Sequence, residues 1–345
     1  MSKTPLYYHK MYGKYGFGSF HPFDPKRFPK FIQLIKDDKK IMESVEIRES
    51  PRASDEDLML VHTQDYIKKV EDMEGSGGKL SGDTPVKEGA PEAARRIVGG
   101  SLEAAKNIDK EGTIINLGGL HHAGRSTGEG FCIFNDVAVA AQYLVNEGKK
   151  VCVLDTDAHQ GNGTMDIFYE TDEVLFISLH QDPRMLYPGT GYVEQIGDGN
   201  GEGYTVNIPL PRDSNIADYY HAFEEVVKPI IKQYDPDVLI RNGGSDPHHT
   251  DSLTDLAMDM RGLEYLGGVT SDICRDVDAG HIDLFLSGYG LRVIEGWQAI
   301  LKGVLNLDIE TPSDQKISDI GKEPKVNLVR TIDDLKKILE DHWKL

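Results

Sequence analysis

The chain has 345 residues, a formal net charge of −19 and a pI near 5.0, with 39% hydrophobic and 28% charged residues. That balance supplies a large core and argues against a nucleic-acid-coating role, while leaving an attraction for cationic partners such as basic tails and polyamines. Cys132, Cys152 and Cys274 are far apart, residues 1–10 hold no apolar signal core, and no run reaches membrane-spanning length, so a cytoplasmic location and no membrane partner are expected.

Short apolar runs alternate with helical stretches. Strands are predicted at 113–117, 151–155, 174–179, 205–209, 238–242 and 281–286, several of them aliphatic throughout, as strands covered on both faces are. Helices are predicted over 135–147, 216–233, 255–279 and 292–305. The alternation predicts the α/β class, a single domain with a mostly parallel sheet flanked by helices in three layers. Functional loops then gather at the carboxyl ends of the strands. Residues 74–89 read as a Gly-rich loop and 198–203 as turn material. Beyond Thr311 the chain is polar until an amphipathic helix predicted over 332–343.

The predicted strand ends carry the chemistry, in chain order. Gly118-Gly119-Leu120-His121-His122-Ala123-Gly124 puts adjacent histidines on a flexible turn; imidazoles titrate near neutrality and shuttle protons, although such a pair also occurs in plain surface loops. Gly130-Phe131-Cys132-Ile133-Phe134-Asn135-Asp136 follows. In Asp155-Thr156-Asp157-Ala158-His159, three metal-ligand side chains stand at alternate positions and share one side wherever the extended geometry persists. Two carboxylates and an imidazole suit Zn(II), with Fe(II) or Mn(II) also acceptable; a polar βα loop is the other reading. Then come Gly161-Asn162-Gly163, a further carboxylate in Gly243-Gly244-Ser245-Asp246, and a tyrosine between glycines in Ser287-Gly288-Tyr289-Gly290.

In this order the motifs resemble the zinc-dependent histone deacetylase superfamily, which includes acetoin-utilisation proteins and acetylpolyamine amidohydrolases, over about residues 5–305. The resemblance implies an arginase/deacetylase-like fold, with a catalytic domain at 1–310 and an extension at 311–345 whose terminal helix packs on the same domain. It implies hydrolysis of the amide of Nε-acetyl-lysine in proteins or peptides, releasing acetate, by metal-activated water. Asp157, His159 and Asp246 would be the zinc ligands, leaving positions open for water and the substrate carbonyl. His122 would be the general base and then the acid, and His121 would tune and orient. Asp155 would stand behind His121 and Asn162 behind His122, and Tyr289 would hold the oxyanion. Phe131, Tyr187 and Gly130 would line the acyl-lysine channel, with Leu253 and Asp83 at its rim and Arg27 near an internal cavity. Potassium is implied at Asp155, Asp157, His159, Ser178 and Leu179, and again at Phe168, Thr171 and Val174.

Two features depart from the family pattern or vary within it. Ser287 stands where glycine is usual, and would stiffen that loop or narrow the acetyl pocket. Asn162 is an amide where some members carry Asp, so it would raise the imidazole pKa less. A two-manganese ureohydrolase needs D-A-H-x-D, but Gly161 follows Gln160 here, and Asp246 precedes Pro247 and His248. Two alternatives stay open: an acetylpolyamine deacetylase, disfavoured by an apolar Leu253 at the rim, and a catalytically weak acyl-lysine-binding module. Oligomeric state is not legible.

Overall fold

Apolar segments that must hide both faces dictate the centre of the molecule. The computed structural model describes residues 3–314 and 319–345; residues 1–2 and 315–318, within the stretches expected as catalytic domain and C-terminal extension, lie outside the described residues. Among the described residues eight strands form one sheet: β1 (Thr4–Tyr8), β2 (Val45–Glu49), β3 (Thr113–Asn116), β4 (Val151–Asp155), β5 (Val174–Gln181), β6 (Thr205–Leu210), β7 (Val238–Gly244) and β8 (Gly280–Ser287). Their order is β2-β1-β3-β8-β7-β4-β5-β6, and every pairing is parallel. Every residue of β4, β5, β7 and β8 is buried, so helices cover both faces.

The six strands expected from the sequence all form. β1 and β2 were not expected: Pro5 and the aromatic run of β1, and the charged β2, lack a continuous apolar signal, and they pair at one end of the sheet. The helix Ala90–Asn107 was likewise missed, and packs against Asp136–Asn146. The 216–233 helix is interrupted by a π segment, Phe223–Val227. The 255–279 helix begins only at Met260, because the Asp259 side chain caps Gly262 N and leaves Leu253 in a loop.

Helix Met260–Asp276 crosses Val293–Leu305 at glycines. A Cβ on Gly303 would sit 2.0 Å from Glu264 O, and one on Gly267 would sit 2.4 Å from Ile300 O. Near the C-terminus the observed helix is Val326–Ile338, offset from the expected 332–343, because Leu328, Ile332 and Leu335 form its buried face. Trp343 lies beyond it and donates Nε1–H to Gly203 O (2.7 Å). Under the carboxyl ends of β7 and β8, Arg241 makes a buried two-pronged ion pair with Asp283 (2.7 and 2.6 Å). Burial raises the Asp283 carboxyl, but the Arg241 guanidinium outweighs it and brings it down to about 2. Among the described residues no helix is long and apolar enough to cross a membrane.

Candidate active site

Sheet order explains why residues distant in sequence meet. β3, β8, β7 and β4 are consecutive neighbours, and their carboxyl ends lead into the His121-His122 turn, Tyr289, Asp246 and Asp155–His159 respectively. Pairing of β7 with β8 slips between Gly243 and Gly244, so that Ser287 faces Gly244 at the rim of the site.

Asp157, His159 and Asp246 are brought together and buried, with their ligand atoms all within 4.8 Å of one another. His159 Nδ1 lies 3.1 Å from both Asp157 Oδ1 and Asp246 Oδ2. Burial lowers the His159 imidazole, but these two carboxylates outweigh it and raise it to about 10. Burial and then the Asp157 charge raise Asp246. Two carboxylates and one imidazole held this closely in a buried pocket demand positive charge, which fits a divalent cation of the zinc type. Ala158 N donates to Asp246 Oδ2 (3.0 Å), and the Ser287 hydroxyl donates to Asp246 Oδ1 (2.6 Å).

Ser287 therefore acts on the Asp246 carboxylate, one of the three groups that could hold a cation. Ser287→Ala is expected to weaken cation retention by about 10-fold, the usual scale for partners that orient a metal ligand. Competition with a chromophoric chelator measures this, and unchanged retention would show that the hydroxyl is dispensable.

The tandem histidines are clamped from behind. Asp136 accepts from Leu120 N (2.6 Å) and Gly119 N (3.1 Å), while Asn135 Nδ2 donates to Ala123 O (3.0 Å). Asn135 also caps its own helix through Ala138 N (2.8 Å), so one helix start fixes the turn. His121 Nδ1 lies 2.7 Å from Asp155 Oδ2, and Asn242 Nδ2 donates to Asp155 Oδ1 (3.1 Å). Burial lowers His121, but Asp155 and Asp157 outweigh it and raise it to about 9. His122 Nδ1 lies 2.8 Å from Asn162 Oδ1. Burial, then the His121 and His159 charges, hold His122 well below 6.5, so at neutral pH it is an unprotonated base. Gly130 has φ +55° and packs its Cα on this ring; a Cβ there would lie 2.4 Å from His122 Cδ2.

Tyr289 meets Phe131 and His159 edge-on (centroids 5.5 and 5.9 Å). Burial, then the Asp157 and Asp246 charges, push its phenol well above 10, keeping it a donor. Phe131 sits at φ +66°, a strained left-handed conformation held by Thr84 Oγ1 at its N–H (3.0 Å) and by Tyr15 O–H at its carbonyl (2.7 Å). Tyr187 meets the His122 ring edge-on at 5.1 Å. Leu253 is half-buried on the loop whose Ser252 hydroxyl donates to Tyr289 O (2.7 Å). Asp83 is half-buried, accepting from Ser81 and from Thr84 Oγ1, so its loop abuts Phe131. Arg27 is buried, with its guanidinium 4.0 Å from the Phe23 centroid and 5.6 Å from that of Tyr289. Arg27 and Tyr289 share a cavity of about 420 Å³ with Thr250 and Leu291. Cys132 is buried with its thiol raised by burial, an inert neighbour.

Asp155 and Ser178 are register partners on β4 and β5, and Leu179 follows Ser178. Phe168 ends the helix Asn162–Phe168, Thr171 on the turn that follows donates its N–H to Phe168 O (3.3 Å), and Val174 opens β5. Sequence reasoning missed Glu129, which accepts from Asn162, and Asn242; neither sits in a recognisable motif, and only tertiary proximity gives them a partner. It also missed a second cluster, His248, His249 and Asp314. There both imidazole Nε2 atoms reach the Asp314 carboxylate (2.7 and 2.8 Å), which also accepts from Met260 N (3.2 Å) and lies 3.6 Å from Arg292 Nη1. A carboxylate already bonded to an amide and facing a guanidinium is an ion-pair hub that ties residue 314 to the loop after Asp246.

The sequence model of the histone deacetylase domain matches residues 21–304. A probable deacetylase of Archaeoglobus fulgidus is 32% identical over 99% of both chains. The acetoin utilization protein AcuC of Bacillus subtilis is 38% identical, covering 74% of this chain and 70% of its own. The crystal structure of the HDA15 HD domain superposes with a TM-score of 0.88 at 28% identity, over 99% of this chain and 95% of that one.

Proposed function

The chain belongs to the histone deacetylase family and is a deacetylase, and from that premise we propose that its substrate is Nε-acetyl-lysine in proteins or peptides. One observation carries the reading: the two aromatic walls stand directly on the acid-base machinery. Phe131 lies against Tyr289, Tyr187 lies against His122, and the apolar, half-buried Leu253 follows Ser252, whose hydroxyl donates to Tyr289 O. An aliphatic lysine stem between aromatic faces delivers its terminal amide to the floor of such a channel.

Asp157, His159 and Asp246 are the residues that would hold the cation, zinc in this reading, with Fe(II) served by the same donors. When bound it supplies Lewis-acid polarisation of the scissile carbonyl and acidification of water. The chain's own groups do the rest. His122 Nε2 takes a proton from the attacking water and returns it to the departing amine. Asp155 holds His121 in place beside it. The Tyr289 hydroxyl donates to the developing oxyanion. Potassium would sit at Asp155, Asp157, His159, Ser178 and Leu179, where β4 and β5 pair with Asp155 opposite Ser178, and a second ion at Phe168, Thr171 and Val174; both sites rest on the family resemblance. Three buried, unpaired cysteines support a reducing compartment, the cytoplasm.

The test is acetate release from an acetyl-lysine peptide by metal-stripped protein, before and after one equivalent of Zn(II). Release only with zinc is the expected result. Release from an acetylpolyamine and not from the peptide would move the substrate to polyamines. No release from either, with zinc bound and the fold intact, would leave an acyl-lysine binder.

A further inference from the structure

His122 serves as a base only if the proton of its neutral ring sits on Nδ1, leaving the Nε2 lone pair free. A carboxylate behind the ring would enforce that tautomer, because both of its oxygens accept. An amide does not: Asn162 can turn either Oδ1 or Nδ2 toward His122, and the second choice forces the proton onto Nε2. Something must therefore set the amide's orientation.

Glu129 does this. Its Oε1 accepts from Asn162 Nδ2 (2.8 Å), on the opposite side of the amide from the 2.8 Å contact between Asn162 Oδ1 and His122 Nδ1. An ionised carboxylate offers only acceptors, so this contact admits one orientation of the amide and hence one tautomer of the imidazole. Glu129 is itself placed by backbone. Cys132 N donates to Glu129 O (2.8 Å), and the two intervening residues, Gly130 and Phe131, both have positive φ (+55° and +66°), the pattern of a type I′ turn. The same turn thus presents Phe131 to the channel, clears His122 with Gly130, and aims Glu129 at Asn162. That coincidence accounts for a strained Phe131 being tolerated.

We propose that Glu129 is a positioning residue of the reaction: acting through Asn162, it locks His122 in the Nδ1–H tautomer. The proposal rests on the deacetylase reading only for its kinetic consequence; the tautomer can be read without substrate.

The discriminating variant is Glu129→Gln, which keeps shape and packing but can donate as well as accept, so both amides can flip together. In zinc-loaded protein, long-range ¹H–¹⁵N correlation of the histidine rings should show His122 purely Nδ1–H in the wild type and a mixture in the variant. With an acetyl-lysine peptide, kcat should fall by about 10-fold with KM little changed, the scale of losing an orienting partner. On an Asn162→Asp background, whatever its own rate, the same Glu129→Gln change should cost nothing further in kcat, because a carboxylate at position 162 has no wrong orientation. An unchanged His122 tautomer in Glu129→Gln overturns the proposal. So does an equal kcat loss on both backgrounds, or a rise in KM alone, which would assign Glu129 to substrate contact. A wild type inert toward the peptide would sink the acetyl-lysine reading, while the ring-nitrogen spectra would still decide the role of Glu129.

Discussion

Replacing His122 by alanine is expected to lower kcat/KM for amide hydrolysis by about 10²–10⁴-fold, the range that a positioned general acid-base supplies. In the proposed mechanism the removed group takes a proton early and returns it late, so both water attack and amine departure would lose their partner. His122 is not among Asp157, His159 and Asp246, so cation content should be unchanged, which separates lost proton transfer from a lost metal. The neutral ring is the active form at the start of the reaction. Burial, the largest cause, holds its pKa below 6.5, and neighbouring positive charge pushes it the same way. The rate should therefore stay level as pH falls to 6.5 and drop only below that, as the ring becomes protonated. A bound cation takes the place of a proton on His159 and supplies the positive charge on that side of the ring. Measuring kcat/KM against pH at constant metal occupancy checks it; an acid limb centred above pH 6.5, or near-normal turnover in His122→Ala, would assign the base elsewhere.

Tyr289→Phe should cost about 10²–10³-fold in kcat, or about 3–4 kcal/mol, as removal of one oxyanion donor does. The phenol is pushed well above 10, so it stays protonated across the working range and its contribution should not titrate. The substitution leaves the ring in place against Phe131 and His159. It also leaves the loop, because Tyr289 N donates to Asp251 Oδ2 (2.6 Å) and Tyr289 O accepts from Ser252, both through backbone atoms. Cation retention and thermal stability should match the wild type. Wild-type turnover in this variant would refute the assignment, whereas a parallel loss of metal would point to a structural role.

Much of this site is legible in the chain because its chemistry is written locally. The alternation of Asp155, Asp157 and His159 after an aliphatic strand, and the His121-His122 pair between glycines, follow from the short range of backbone geometry. The six expected strands are visible because a strand covered on both faces must be apolar at every position. β1, β2 and the Ala90–Asn107 helix escaped because their pattern is mixed, and their place is set by neighbours rather than by their own residues.

Sequence alone thus determined the α/β class, the residue types that suit a divalent cation, and the order of the functional loops. The tertiary structure decided which partners those residues have. The order β3-β8-β7-β4 puts four distant loops side by side. The positive-φ turn at Gly130-Phe131 brings Glu129 to Asn162, and the slipped register of β8 brings Ser287 to Asp246. Ligand types are a property of single side chains and short spacings. The orientation of an amide, or the hydrogen bond on a carboxylate, depends on atoms tens to hundreds of residues away, and only packing fixes those distances.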